Sequence, residues 1–139
     1  MFRKILVPVD LSDKNRGAVE KAAELASQSG GELTLLHVIE TIQDVPREEL
    51  EDFYATLEEK ARASLESWRS EFAGKGLDVQ QDVAFGRRAP EIVREAERRG
   101  ADLIVLTSHA VDRDHPVRSL GTISHQVAVM AGCAVLLVR

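Results

Sequence analysis

Residues Lys4 to Val9 (Lys-Ile-Leu-Val-Pro-Val) carry apolar side chains on both faces of an extended chain. A strand buried on both faces belongs inside a sheet that helices cover on each side, the setting of parallel α/β sheets. Further apolar runs of strand length follow at Leu33 to Ile39, Leu103 to Leu106 and Ala134 to Val138. Leu77 to Phe85 instead alternates, with Leu77, Val79, Val83 and Phe85 set against Asp78, Gln80 and Asp82, so this strand is predicted nearer a sheet edge or with one exposed face.

Helical segments separate the strands. Ala18, Ala22, Leu25 and Ala26 recur at helical spacing up to Gly30-Gly31, and Asp10, Ser12 and Asp13 supply capping side chains at the start. The glycine pair is predicted to end that helix by the left-handed route. After a linker from Thr41 to Pro46, a charged helix is predicted over Arg47 to Ala73. Its stripe is Leu50, Phe53, Tyr54, Leu57, Ala61, Leu65, Trp68 and Phe72. Pro90 fits the first turn of a third helix that stops at Gly100, and Gly121-Thr122 opens a fourth. Strands alternating with helices over 139 residues predict one domain with a parallel, doubly wound sheet. Pro8 cannot donate a ladder hydrogen bond, so the first strand should fray or bend near its end.

Composition narrows the function. A net charge of −5 argues against binding a phosphate backbone, so no nucleic acid partner is expected. No apolar run nears the roughly 18 residues needed to cross a bilayer, and the start of the chain has no apolar leader segment, so neither membrane association nor secretion is expected. Cys133 is the sole cysteine, which rules out an intramolecular disulfide and a multi-cysteine metal site, and it reads as a small buried residue leading into the last strand. Several chemical signatures are missing: Gly-x-Gly-x-x-Gly after the first strand, the P-loop, and the Gly-x-Ser-x-Gly elbow. No histidine–glycine–histidine signature of nucleotidyl transfer is present either.

In an open parallel sheet, ligands bind outside the C-terminal ends of the strands where the winding direction reverses. With the first and fourth strands as central neighbours, that crevice is lined by Val7 to Asp10 and by Leu106 to Ala110. Asp10 there accepts hydrogen bonds from a ribose or an adenine amino group, or else caps the first helix and ties down its loop. Gly121-Thr122 brings backbone N–H groups to a phosphate, or simply initiates a helix with Thr122 or Ser124 as N-cap. In the intervening loop Arg113 and Arg118 suit phosphates, while Asp112 and Asp114 would oppose the same anion. His109, Asp112 and His115 read as a solvated polar loop before they read as metal ligands. His125 is predicted on a helix surface or interface.

Taken together, several stretches resemble the universal stress protein family over essentially the whole chain. They are Ile5-Leu6-Val7-Pro8-Val9-Asp10 with Ser12, Leu36-His37-Val38, Gly100-Ala101-Asp102-Leu103-Ile104-Val105, and Gly121-Thr122 followed by Cys133 to Val138. The resemblance implies a five-stranded, Rossmann-like sheet of the adenine nucleotide alpha hydrolase-like kind, with strand order 3-2-1-4-5. It also implies a cytoplasmic stress-response homodimer paired through the last strand, Ala134 to Val138. One branch of the family binds ATP or AMP and resembles Gly-x2-Gly-x9-Gly-Ser/Thr in the final third. Here Thr107 and Ala110 occupy the first two glycine positions, ten residues separate Ala110 from Gly121, and Gly121-Thr122 fits the last element.

The candidate ligand contacts are accordingly Pro8, Val9, Asp10, Val38, Leu106, Thr107, Ala110, Gly121, Thr122 and Ile123, with Arg118 as a substitute for glycine N–H donors. No catalytic residue and no metal ligand is assigned. The leading expectation is an adenine-nucleotide sensor or regulator. The alternatives are a ligand-free protein whose loop from Thr107 to Leu120 contacts a partner, and a weak ATPase.

Overall fold

The computed structural model describes residues 1–108, 113–114 and 122–139. Five strands, β1 (Lys4–Pro8), β2 (Glu32–Glu40), β3 (Asp78–Gly86), β4 (Leu103–Thr107) and β5 (Ala134–Val138), form one sheet in the order β3-β2-β1-β4-β5. Every pairing is parallel, with Val7 opposite Leu35, Ile5 opposite Leu103 and Leu103 opposite Ala134. This is the α/β class and strand order expected above. β3 lies at an edge, which accounts for its alternating sequence.

Four α-helices lie among the described residues: α1 (Arg16–Ser29), α2 (Glu51–Phe72), α3 (Arg88–Arg99) and α4 (Ile123–Met130). Successive side chains of β1 leave on opposite faces. Ile5 and Val7 join Ala22, Ala26, Leu65 and Trp68 beneath α1 and α2. Leu6 joins Leu36, Ile92, Ala96, Ile104 and Val127 beneath α3 and α4. The two-sided apolar character of β1 is thus used by two separate cores. At the end of α1 the glycine pair divides its work. Gly30 takes the left-handed conformation (φ 62), whereas Gly31 leaves room for the passing backbone, since a Cβ there would sit 2.4 Å from the Arg3 carbonyl oxygen.

Three local expectations are corrected. Asp10, Ser12 and Asp13 make no side-chain cap on α1; a 3-10 turn at Asp13–Asn15 intervenes, and Asp10 closes a turn instead. The predicted helix over Arg47 to Ala73 is a 3-10 turn at Arg47–Leu50, then α2, then a short 3-10 turn. Phe53 is 49% exposed, because it precedes the buried Tyr54 by one residue and so points about 100° away around the helix. Cys133 is half-buried rather than buried; its partial burial and the neighbouring Asp102 carboxylate push its thiol pKa up, away from nucleophilic reactivity.

Candidate functional site

The two central strands part company part-way along. β1 and β4 share a ladder only through Ile5–Leu103 and Leu6–Ile104. Residues along a strand address their two neighbours alternately. On β1 the Val9 N–H donates to Leu36 of β2 at 2.8 Å, while the Lys4 carbonyl accepts the Asp102 N–H at 2.9 Å beside β4. Pro8 therefore falls in the set that faces β4, and it has no N–H to give. The missing donor ends the ladder, and a fork opens between the C-terminal ends of β1 and β4.

Asn15 bridges this fork. Its Oδ1 accepts the Asp10 N–H at 2.7 Å, and its Nδ2 donates to Thr107 Oγ1 at 3.1 Å. The amide is only 5% exposed, so it spans the base of the crevice and not its rim. Its position follows from the β1–α1 turn. Asp10 Oδ1 accepts from both the backbone N–H (2.9 Å) and the hydroxyl (2.6 Å) of Ser12, which holds Leu11 in the left-handed region (φ 72). An Asp side chain closing such a turn offsets the strain of a left-handed leucine.

Above the bridge lies a small cleft of about 110 Å³ that opens to solvent. Pro8, Val9 and Asp10 form one wall, and Leu106 and Thr107 the facing one. Leu36 and Val38 of β2 extend the apolar floor, Arg88 and Ile92 come down from α3, and Ile123 and Ser124 from the start of α4. The lining thus mixes apolar side chains with the Asp10 carboxylate, the Arg88 guanidinium, the Asn15 amide and the Thr107 and Ser124 hydroxyls.

Partial burial pushes the Asp10 carboxyl pKa up, but the Ser12 hydroxyl and N–H bonds and the Arg88 charge outweigh it and leave the group below the usual carboxylate range. Asp10 is thus an anion at neutral pH, an acceptor with one oxygen committed to Ser12. At the start of α4, Thr122 is the N-cap and accepts the His125 N–H at 3.4 Å. Ser124 Oγ lies 3.1 Å from Thr122 Oγ1 and 3.2 Å from Ser108 Oγ, a chain of three hydroxyls.

Of the positions singled out from sequence, Pro8, Val9, Asp10, Val38, Leu106, Thr107 and Ile123 line this one cleft. Thr122 reaches it through Ser124. Ala110, Arg118 and Gly121 lie outside the described residues, as do His109, Asp112 and His115. Among the described residues no three His, Cys, Asp or Glu side chains are grouped to hold a metal. His125 is exposed on α4. Asn15, Leu36, Arg88, Ile92 and Ser124 were not anticipated. Arg88 carried a weak signal, a second arginine at the opening of a helix that follows a strand end. Asn15 carried none, since its two partners lie on different strands.

A doubly wound parallel sheet with its cleft at the fork of the central strands defines the Rossmann-like class of α/β proteins. Within that class the chain belongs to the universal stress protein family, which matches it over residues 1–139. It is 31% identical over 149 residues to the universal stress protein YxiE of Bacillus subtilis, with the whole of both chains covered. Among solved structures it is similar to MJ0577, a universal stress protein of Methanocaldococcus jannaschii, at a TM-score of 0.81 and 28% identity, covering 99% of this chain and 96% of that one. Two more distant structures share the fold. One is a universal stress protein in complex with cAMP (22% identity, TM-score 0.74, covering 99% of this chain). The other is the Archaeoglobus fulgidus protein in complex with dAMP (20% identity, TM-score 0.72, covering 99% and 98%). No helix among the described residues is long and apolar enough to cross a membrane.

Proposed function

We propose that this chain is a cytoplasmic stress-response protein that acts as one domain over residues 1–139 and binds an adenine nucleotide, AMP or ATP, in the cleft between β1 and β4. The observation that carries the reading is the cleft's mixed lining. Apolar Leu36 and Val38 suit a purine ring, and the ionised Asp10 in the same lining suits an amino group or a ribose hydroxyl. Pro8, Val9, Leu106, Thr107 and Ile123 would complete the adenosine enclosure. The glycine-poor stretch Thr107, Ala110 and Gly121, with Thr122 and Arg118, would carry the phosphate end. The cAMP and dAMP complexes of relatives with this fold support the choice of ligand class.

Isothermal titration with AMP, ADP, ATP and adenosine tests it. Binding that Asp10→Ala weakens supports the reading. No heat at high micromolar protein, together with an unchanged melting temperature, refutes it.

One observation favours a ligand-free role instead. Thr107, where the nucleotide-binding branch has a glycine, spends its hydroxyl on Asn15 and places a side chain at the fork. In that reading the segment following β4 contacts a protein partner, and the same titration decides between the two.

We further propose a homodimer joined through β5. Among the described residues it is an edge strand with β4 as its one neighbour, and Leu137 on it is 38% exposed. An apolar edge is stabilised by pairing with a second copy. Sedimentation showing a monomer at micromolar concentration refutes this.

A further inference from the structure

A second opening lies away from the β1–β4 cleft, between the start of α2 and the end of edge strand β3. At about 480 Å³ it is the roomier of the two, and its walls are aromatic and acidic. We propose that this groove docks a basic segment of a partner protein, with an arginine of that segment stacked on Phe85 and the carboxylates of Glu48 and Glu51 around it.

Helical spacing builds the groove. Tyr54, Ala55 and Glu58 lie three, four and seven residues after Glu51, so the four share one face of α2. The short side chain of Ala55 leaves room between the two glutamates. Tyr54 is 2% exposed and forms the base; its hydroxyl accepts the Ile42 N–H at 2.7 Å, and its ring meets Phe85 edge to face at 6.1 Å. Over the Phe85 ring sits the Arg47 guanidinium, 3.9 Å from its centroid. Arg47 is thus an internal stand-in for the ligand, and it shows that this ring accepts a planar cation.

Among the described residues Arg47, Glu48 and Glu51 form no ion pair. An exposed stack without a carboxylate partner is weak, and an arginine arriving from outside can reach the ring and the carboxylates together. Charge complementarity selects that partner. From Glu40 to Glu59 the chain carries eight carboxylates and one arginine, more negative charge than the −5 of the whole protein, so cations are drawn here and anions repelled. Ile42 and Phe53, 47% and 49% exposed, adjoin Tyr54 and extend the apolar surface beyond the groove. A protein segment covers such a surface, whereas a small free cation does not.

The test titrates capped tetra-arginine, tetra-lysine and tetra-glutamate peptides, and agmatine as a free small cation, into wild type, Arg47→Gln, Phe85→Leu, Glu51→Gln and the Arg47→Gln/Phe85→Leu double variant. Matching melting temperatures establish that each is folded; Arg47 and Glu51 are exposed, so their variants remain decisive if Phe85→Leu unfolds. Wild type is expected to bind tetra-arginine more tightly than tetra-lysine or agmatine, and not to bind tetra-glutamate. Phe85→Leu should weaken tetra-arginine about fivefold and erase its advantage over tetra-lysine, and Glu51→Gln should weaken both about threefold. Arg47→Gln should strengthen tetra-arginine about threefold by vacating the ring, and by less in the Phe85→Leu background. No binding of tetra-arginine overturns the proposal, as does equal binding of the arginine and lysine peptides. A loss of affinity in Arg47→Gln, or the same gain in both backgrounds, removes Arg47 as the stand-in and overturns it too. Agmatine binding as tightly as the peptide would make the groove a small-cation site and overturn the protein partner.

Discussion

Replacing Asn15 with Ala removes the bridge across the fork. The side chain makes two neutral hydrogen bonds, from the Asp10 N–H at 2.7 Å and to Thr107 Oγ1 at 3.1 Å, in a setting where it is 5% exposed. Each such bond contributes about 1 kcal/mol net, so Asn15→Ala should cost about 2 kcal/mol. Asp10 and Thr107 are the groups left without their partner, and both have some access to water, which keeps the figure from rising further. At about 2.1 cal/mol/K per residue, 139 residues carry an unfolding entropy of about 0.29 kcal/mol/K, and the melting point should fall by roughly 7 °C. Thr107→Val, nearly the same shape, deletes only the acceptor and should cost about 1 kcal/mol. The double variant should be less destabilised than the two singles added, by about 1 kcal/mol, because both delete the same bond. Urea unfolding at one fixed protein concentration, with unchanged slope, measures all three. A cost for Asn15→Ala below about 0.5 kcal/mol, or strictly additive singles, would show that the bridge does not hold the fork.

Three other outcomes are expected. The native Asp10 carboxyl has a lowered pKa, so it stabilises the fold above its unfolded pKa and loses that contribution as pH falls through the native one; Asp10→Asn should flatten the acid limb of a stability–pH curve, and an unchanged limb refutes the assignment. Gly31→Ala drives a Cβ into the Arg3 backbone and should cost about 1–3 kcal/mol, more than Gly30→Ala, which meets only left-handed strain of about 1 kcal/mol; urea midpoints in the reverse order would contradict the close approach at Gly31. Leu137→Lys places a charge on the β5 edge and should give a monomer by sedimentation where wild type is a dimer; an undisturbed dimer would move the interface elsewhere.

Much of the architecture was legible before any coordinates. The apolar run of β1, buried on both faces, and the alternation of β3 determined which strand is covered and which lies at an edge. Such patterns are local, since side chains two residues apart on a strand share a face whatever the rest of the chain does. Even the missing ladder donor at Pro8 was readable, because the absent N–H is a property of the residue itself.

What Pro8 faces was not readable. That its gap falls toward β4 rather than β2, opening a fork at the ligand end of the sheet, depends on the register between strands about 100 residues apart in the chain. Asn15 and Arg88 belong to the same category. Each has ordinary chemistry for its place in the chain, one in a helix-leading turn and one at a helix start. Each becomes part of a site only because packing sets it in one cleft lining with Thr107 and Asp10. Periodicity records how a residue is buried. Which polar groups meet across a cleft is decided by tertiary register, because hydrogen bonds form only over about 3 Å and carry no imprint in the spacing of the residues that make them.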